Sequence, residues 1–182
     1  MERRSVFKSL NPWPVRFVAA AIVQGAAIVA LTAMLVIGSA FFMKPDVARV
    51  IAAGGAGTWF TFGYLIYIVV GVIGVAVSAL FYQLLGTKVS KVLGWMHLLL
   101  MNAGTAAAAG MMMYVGYMGG GAALPQSVGG SGFNPAQVHE IIAPFVEPIG
   151  ASILVTLLGV LSGGVGYLVA YRREHREKSA TH

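Results

Sequence analysis

The sequence predicts an all-α integral membrane protein, a bundle of four transmembrane helices, and three observations lead to this prediction. Of the 182 residues, 58% are hydrophobic and only 10% are charged, whereas charged residues make up about a quarter of an ordinary soluble domain. The hydrophobic residues fall into four long blocks, each longer than the roughly 20 residues that a helix needs to cross a bilayer. Such blocks are too long for strands, and a helix satisfies its own backbone hydrogen bonds in lipid.

The four blocks and their flanks divide the chain into three parts. Residues 1–16 are basic and contain Trp13 and two prolines, which is typical of a segment at the membrane interface. Residues 17–171 form the transmembrane domain, and residues 172–182 form a basic tail. Almost nothing is left for a soluble domain. We predict the spans at residues 17–42, 58–85, 92–118 and 149–171.

The first block could instead be read as a signal peptide. It follows a basic N-terminus, and Gly38-Ser39-Ala40 resembles a small-residue cleavage site. An apolar stretch of about 26 residues is, however, too long for the usual h-region of about 7 to 15. We therefore expect a retained first span.

The basic residues predict the orientation of the bundle. If the four spans alternate, only Lys44 and Arg49 fall on one side of the membrane. The positive-inside rule then places both termini in the cytoplasm and the chain in the plasma membrane. This distribution explains the net charge of +6 without a nucleic-acid partner, and we expect none. The side that carries the termini holds the remaining basic residues: Arg3, Arg4, Lys8, Arg16, Lys88, Lys91, Arg172, Arg173, Arg176 and Lys178.

The loops predict two short helices on the side opposite the termini. Residues 45–55 begin with Pro-Asp and end with two glycines, which mark the start and the end of a helical turn. Asn134 followed by Pro135 is a helix-start signal. We expect a short interfacial helix there, broken at Pro144 or Pro148 before the fourth span. The loop between spans two and three is so short that these spans form a hairpin.

His97 is the single histidine within the predicted spans. It follows Lys91 by six residues, so it lies about 8 to 9 Å inside the cytoplasmic face. An ionisable ring in hydrocarbon needs a partner for its polar nitrogens. One interpretation is structural, with His97 bonded to Asn102, Gln83, Trp95 or a backbone carbonyl of a neighbouring helix.

The other interpretation of His97 is that it binds a cofactor. Met101, Gly104 and Ala108 follow it at i+4, i+7 and i+11 and share its helical face. A groove lined by residues this small could accept a flat macrocycle, and histidine and methionine are both axial ligands of haem iron. These four residues are therefore candidate binding residues for haem b, with His97 on the iron. One helix cannot supply both axial ligands, so the second would come from another chain.

Other polar residues give weaker predictions. His139 and Glu140 could belong to a metal site, and Glu147 enters the fourth span, where a carboxylate needs a partner. A small channel or transporter that uses Glu147 is therefore a further alternative. The chain has no cysteine, which excludes thiolate metal sites, iron–sulfur clusters and covalently attached haem.

Small residues recur at the spacing that lets membrane helices pack closely. This pattern favours association with other membrane subunits or with a second copy of the chain, besides packing within the chain itself. The pairs are Ala106-x3-Gly110, Gly116-x3-Gly120, Gly159-x3-Gly163, and Gly71 with Gly74.

The stretches "TWFTFGYLIYIVVGVIGVAVSALFYQLL" and "KVLGWMHLLLMNAGTAAAAGMMMYVGY" resemble short archaeal membrane proteins of the cytochrome c oxidase subunit I-like (haem-copper oxidase) superfamily. The resemblance covers residues 58–118. It implies a part in a respiratory terminal oxidase, and it matches His97 to a helix position where the family places haem-ligating or haem-adjacent histidines. A catalytic subunit of that family has many more spans and an adjacent pair of histidines, both lacking here. We therefore expect an accessory subunit of a respiratory or other redox complex, not catalytic alone.

Overall fold

The computed structural model describes residues 11–85 and 89–180, and all regular secondary structure in these ranges is helical. Four of the described helices are long and apolar enough to cross a membrane. The prediction of a four-helix membrane bundle is confirmed, and the chain is a multi-pass membrane protein. The spans are Pro12–Phe41 (first), Gly57–Leu84 (second), Lys91–Ala123 (third) and Pro135–Arg173 (fourth).

The described basic residues fall at the ends of the bundle in the pattern that alternating spans predict. We call the end that carries Arg16, Lys91 and Arg172 the basic end, and the end that carries Lys44 and Arg49 the loop end. Which end faces the cytoplasm stays a prediction. Of the cations expected at the basic end, four lie outside the described residues: Arg3, Arg4, Lys8 and Lys88.

The first span begins earlier than predicted, at Pro12. Asn11 caps it, because its side chain accepts a hydrogen bond from the backbone N–H of Trp13 at 3.2 Å, and a proline in the first turn is compatible with a helix start. The Asn11 amide also donates to the Tyr82 carbonyl at 2.8 Å. Trp13 is 3% exposed. It therefore packs inside the bundle, and the interfacial position of residues 1–16 stays a prediction.

The second span changes its helical form in the middle, which the sequence did not predict. Two α-helices, Gly57–Ile66 and Val75–Leu85, flank a π-helical segment over Tyr67–Gly74. A π-helix is rare and occurs mostly inside α-helices, frequently at functional positions. The segment packs against the first and third spans.

The loop end confirms the predicted short helix after the first span. It covers Val47–Ala52, and the Asp46 side chain accepts a hydrogen bond from the backbone N–H of Arg49 at 3.0 Å. Gly54 and Gly55 follow with φ of 66° and 48°. Glycine adopts this left-handed conformation without the steric cost that a Cβ brings, so the pair ends the helix and turns the chain into the second span.

The helix predicted at Asn134 begins where expected but does not break. The Asn134 side chain accepts from the Gln137 N–H at 3.0 Å and the Gln137 side chain accepts from the Asn134 N–H at 3.0 Å, a capping box. One continuous helix then runs from Pro135 to Ala180 through Pro144 and Pro148. The predicted break is wrong because prolines are tolerated within transmembrane helices, where neighbouring groups satisfy the freed backbone.

The third span lies at the centre of the bundle and packs most extensively against the fourth. Glycines allow the backbones of the third and fourth spans to come into contact. A Cβ added at Gly159 would lie 2.4 Å from the Met101 backbone nitrogen, and one at Gly104 would lie 2.6 Å from the Thr156 nitrogen. The predicted packing role of Gly159 is therefore confirmed. Gly110, in contrast, has nothing within 4 Å of its added Cβ, so its face of the third span points away from the bundle.

This contact predicts different effects for two glycines of the fourth span. Gly159→Leu should destabilise the bundle by about 1 to 3 kcal/mol, because the new side chain must push against the Met101 backbone. Gly164→Leu is the matched control, since an added Cβ there has nothing within 4 Å. Thermal unfolding in detergent measures the difference. Equal loss of stability in both variants would contradict this packing.

Candidate functional site

His97 is 3% exposed and lies in a cluster of rings at the basic end. Its ring centroid is 4.9 Å from that of Phe17, 5.8 Å from that of Tyr82 and 6.1 Å from that of Tyr167. All four spans contribute, so the cluster joins them at one level of the membrane. We call this group the aromatic cluster: Trp13, Phe17, Tyr82, Trp95, His97 and Tyr167.

The hydrogen-bond partner of His97 is Tyr82, with 3.2 Å between the His97 Nδ1 and the Tyr82 hydroxyl oxygen. Which atom donates depends on the tautomer of the ring. The partners predicted from the sequence were Asn102, Gln83, Trp95 or a backbone carbonyl of a neighbouring helix, and His97 bonds the Tyr82 side chain instead. Tyr82 could have been found from the predicted hairpin, because a tight loop places the last turns of the second span beside the first turns of the third.

The predicted groove beside His97 is filled by the fourth span. A Cβ added at Gly163 would lie 2.4 Å from the His97 Nδ1, so the backbone of the fourth span rests directly on the imidazole. Met101 is 5% exposed and Ala108 is 1% exposed, while Gly104 contacts the fourth span as described above. These residues do share one helical face, as predicted. The packing leaves no room for a macrocycle on that face, and the residues do not fit haem b.

A second polar group lies deeper in the membrane, between the first and third spans. The Gln24 amide nitrogen donates to the Asn102 side-chain oxygen at 3.1 Å, and the Asn102 amide nitrogen donates to the Leu98 carbonyl at 2.7 Å. The Tyr67 hydroxyl, at the start of the π-helical segment, donates to the Gln24 side-chain oxygen. Gln24 was not among the residues predicted from the sequence. A lone glutamine in the middle of the first apolar block was the signal.

We call Gln24 and Asn102 the amide pair, and they line a groove on the side of the bundle. Both side chains are half-buried. The groove runs between the first and third spans, has a volume of about 470 Å³ and is otherwise lined by small or aliphatic residues. It opens sideways, toward the surroundings of the bundle. Its lining is Ala19, Ala20, Val23, Gln24, Leu98, Leu99, Asn102 and Ala103.

The ionisable residues predicted for the loop end are all exposed. His139 and Glu140 lie on the surface of the fourth helix near its start, and Glu147 lies two turns further along. Within residues 11–85 and 89–180, no three histidine or acidic side chains converge as a metal site would need. The metal site at His139 and Glu140, and the transport role of Glu147, stay predictions.

Comparisons with known proteins add no assignment: no family model matches the chain, and neither the curated proteins nor the solved structures include a significant match. The fold and the candidate site therefore define the class of the protein, a multi-pass membrane protein with a helical bundle.

The filled groove predicts that His97 ligates no haem. Protein produced without partner subunits, in a foreign host supplied with haem, should show no Soret band after purification in mild detergent. His97→Ala should leave the visible spectrum unchanged. His139→Ala is the control for loss of an exposed histidine. A Soret band that is present in the native protein and in His139→Ala but absent from His97→Ala would contradict the packing described here.

The His97–Tyr82 hydrogen bond predicts an energetic coupling between the two residues. A double-mutant cycle of His97→Phe and Tyr82→Phe should give a coupling of about 0.6 kcal/mol and at most about 1.7 kcal/mol, the range found for hydrogen bonds between membrane helices. Unfolding in mixed detergent measures it. Tyr114, which is 56% exposed, supplies the control, and the cycle of His97→Phe with Tyr114→Phe should show no coupling. Equal coupling energies in the two cycles would show that the His97–Tyr82 hydrogen bond does not contribute to stability.

Proposed function

We propose that this chain is a small accessory subunit of a larger membrane complex, and that its role is structural. The complex is a respiratory one of the terminal-oxidase kind. The respiratory part of the proposal rests on the sequence resemblance. The subunit part rests on one observation, the half-buried amide pair in a groove on the side of the bundle.

The amide pair retains hydrogen-bonding capacity that residues 11–85 and 89–180 do not use. Each primary amide has two N–H donors. Gln24 uses one of them toward Asn102, and Asn102 uses one toward the Leu98 carbonyl. Lipid tails offer no acceptor for the remaining two, and polar side chains in membranes bond across helices instead. The groove therefore favours an occupant that carries hydrogen-bond acceptors.

The amide pair lies near the middle of the membrane. Gln24 follows the first residue of its span by twelve positions and Asn102 by eleven, which at 1.5 Å per residue corresponds to about 17 to 18 Å. The hydrocarbon core is about 30 Å thick. Water and lipid headgroups are remote from this depth, so a transmembrane helix is the occupant with suitable acceptors.

The surface around the amide pair suits a close helix contact. Ala103 is exposed, and Ala106 and Gly110 continue on the same side of the third span as Asn102. Gly110 has nothing within 4 Å of its added Cβ, so its own chain leaves it open. Small residues let a second backbone approach. We therefore assign the groove to a transmembrane helix of a partner subunit that carries a hydrogen-bonding side chain.

Filling the groove should detach the partner. Tagged protein, extracted from its native membrane in mild detergent, should migrate in a complex that contains other membrane chains. Ala103→Leu should release it from that complex, because the larger side chain occupies the groove without touching the amide pair's hydrogen bonds. Ala151→Leu, on an exposed position of the fourth span, is the matched control and should stay assembled.

Three outcomes would overturn the proposal. The native protein could migrate alone, it could assemble only with copies of itself, or Ala103→Leu could remain assembled. Thermal unfolding of both variants checks that each folds, since both alanines face outward and neither substitution should change stability.

A further inference from the structure

At the basic end, the guanidinium of Arg16, in the first span, packs against two indole rings. Its guanidinium carbon is 4.8 Å from the ring centroid of Trp13 and 4.7 Å from that of Trp95. Both distances fall within the approximately 6 Å over which a cation is attracted to an aromatic face. The two tryptophans come from different spans, so the arginine joins the first span to the third.

Trp13 is held firmly in place, and Trp95, which is 42% exposed, packs against it. Trp13 is 3% exposed and rests on Gly94, where an added Cβ would lie 2.5 Å from its ring. The Trp13 and Trp95 rings meet edge to face, with centroids 5.6 Å apart and an interplanar angle of 80°. The Trp13 ring also packs against Tyr82 of the second span, with 5.8 Å between the ring centroids. The guanidinium is thus oriented by packed residues and is not a loose surface charge.

Arg16 has no anionic partner within the described part of the chain. The structure gives it neither a carboxylate nor a hydrogen-bond acceptor there, so its five N–H donors are unused among those residues. Arg49 at the loop end differs, because its Nε lies 3.0 Å from an Asp46 carboxylate oxygen. The carboxylates of Asp46, Glu140 and Glu147 belong to the loop end.

The position of Arg16 matches the depth of lipid headgroups. It follows Pro12 by four residues, about 6 Å from the start of a helix that is about 45 Å long. Because this helix is longer than the hydrocarbon core of about 30 Å, its first turn extends into the interfacial region. Lys91 begins the third span one turn before Trp95, on the same helical side. The site therefore has a second cation, Lys91, near the Trp95 indole.

We propose that Arg16, packed against Trp13 and Trp95, binds the phosphate of an anionic phospholipid headgroup. A guanidinium forms paired hydrogen bonds to a phosphate that an ammonium cannot reproduce. The two indoles contact the guanidinium through their rings and leave its N–H donors available to the anion. Basic pockets between transmembrane helices recognise anionic lipids by this chemistry. A lipid headgroup and free phosphate both present a phosphate to Arg16. Only the lipid also has acyl chains, which enter the hydrocarbon next to the site, so binding of the two ligands can be told apart.

Lipid titration of the delipidated protein tests the proposal. The protein, in detergent, is titrated separately with phosphatidylglycerol, phosphatidylcholine and inorganic phosphate, and native mass spectrometry counts bound ligand. We expect saturable binding of phosphatidylglycerol that exceeds that of the other two by about tenfold or more. Arg16 and Lys91 attract a headgroup of net negative charge more strongly than a zwitterionic one, and inorganic phosphate lacks the acyl chains. Equal binding of inorganic phosphate, or of phosphatidylcholine, would overturn the assignment to an anionic lipid.

Two substitutions locate the binding at Arg16. Arg16→Gln should weaken phosphatidylglycerol binding about tenfold, and Arg16→Lys, which keeps the charge and is the safer variant for folding, should weaken it less. Arg49→Gln, at the paired arginine, and Arg172→Gln, at an exposed arginine of the same end, are controls that should bind like the native protein. Loss of binding in Arg172→Gln equal to that in Arg16→Gln, or no loss in either Arg16 variant, would overturn the site.

Discussion

The bundle depends on the direct backbone contact between the third and fourth spans. Lipid tails are as apolar as the side chains of a membrane helix, so helices associate there by close packing and not by burial from water. Gly104 of the third span and Gly159 and Gly163 of the fourth permit this contact, because a Cβ at any of them would clash with the opposite helix. The same contact lays the fourth-span backbone against His97, which fixes the environment of the histidine.

This packing buries His97 but leaves the amide pair at the side of the bundle. His97 is enclosed by rings from every span and bonds Tyr82, so it contributes to cohesion at the basic end. The amide pair Gln24 and Asn102 lies half-buried at the side of the bundle with donors to spare. Burial with a partner is typical of a structural residue, whereas a partly satisfied polar pair facing lipid favours assembly with another helix. The candidate functional surface therefore lies at the side groove and not at the histidine.

Hydropathy and capping residues were sufficient to predict most of the fold. The number of spans and the short helix capped by Asp46 followed from composition and from local hydrogen bonding, which act over a few residues. Periodicity also placed Met101 on the same face as His97, but it could not show that the fourth span covers that face, because the contact depends on residues more than 50 positions away. The π-helical segment and the unbroken helix through Pro144 depend on tertiary surroundings in the same way.

Disulfide cross-linking can test directly whether the fourth span covers the face of the third span beside His97. The chain has no cysteine of its own, so introduced cysteines report only on the pair chosen. A Cβ added at Gly166 would lie 3.6 Å from the Leu93 Cβ, within the range of about 3.5 to 4.5 Å that a disulfide requires. Leu93→Cys with Gly166→Cys should cross-link rapidly in native membranes, and Leu93→Cys with Gly164→Cys should not. Failure of the first pair, or equal cross-linking of both, would contradict the account.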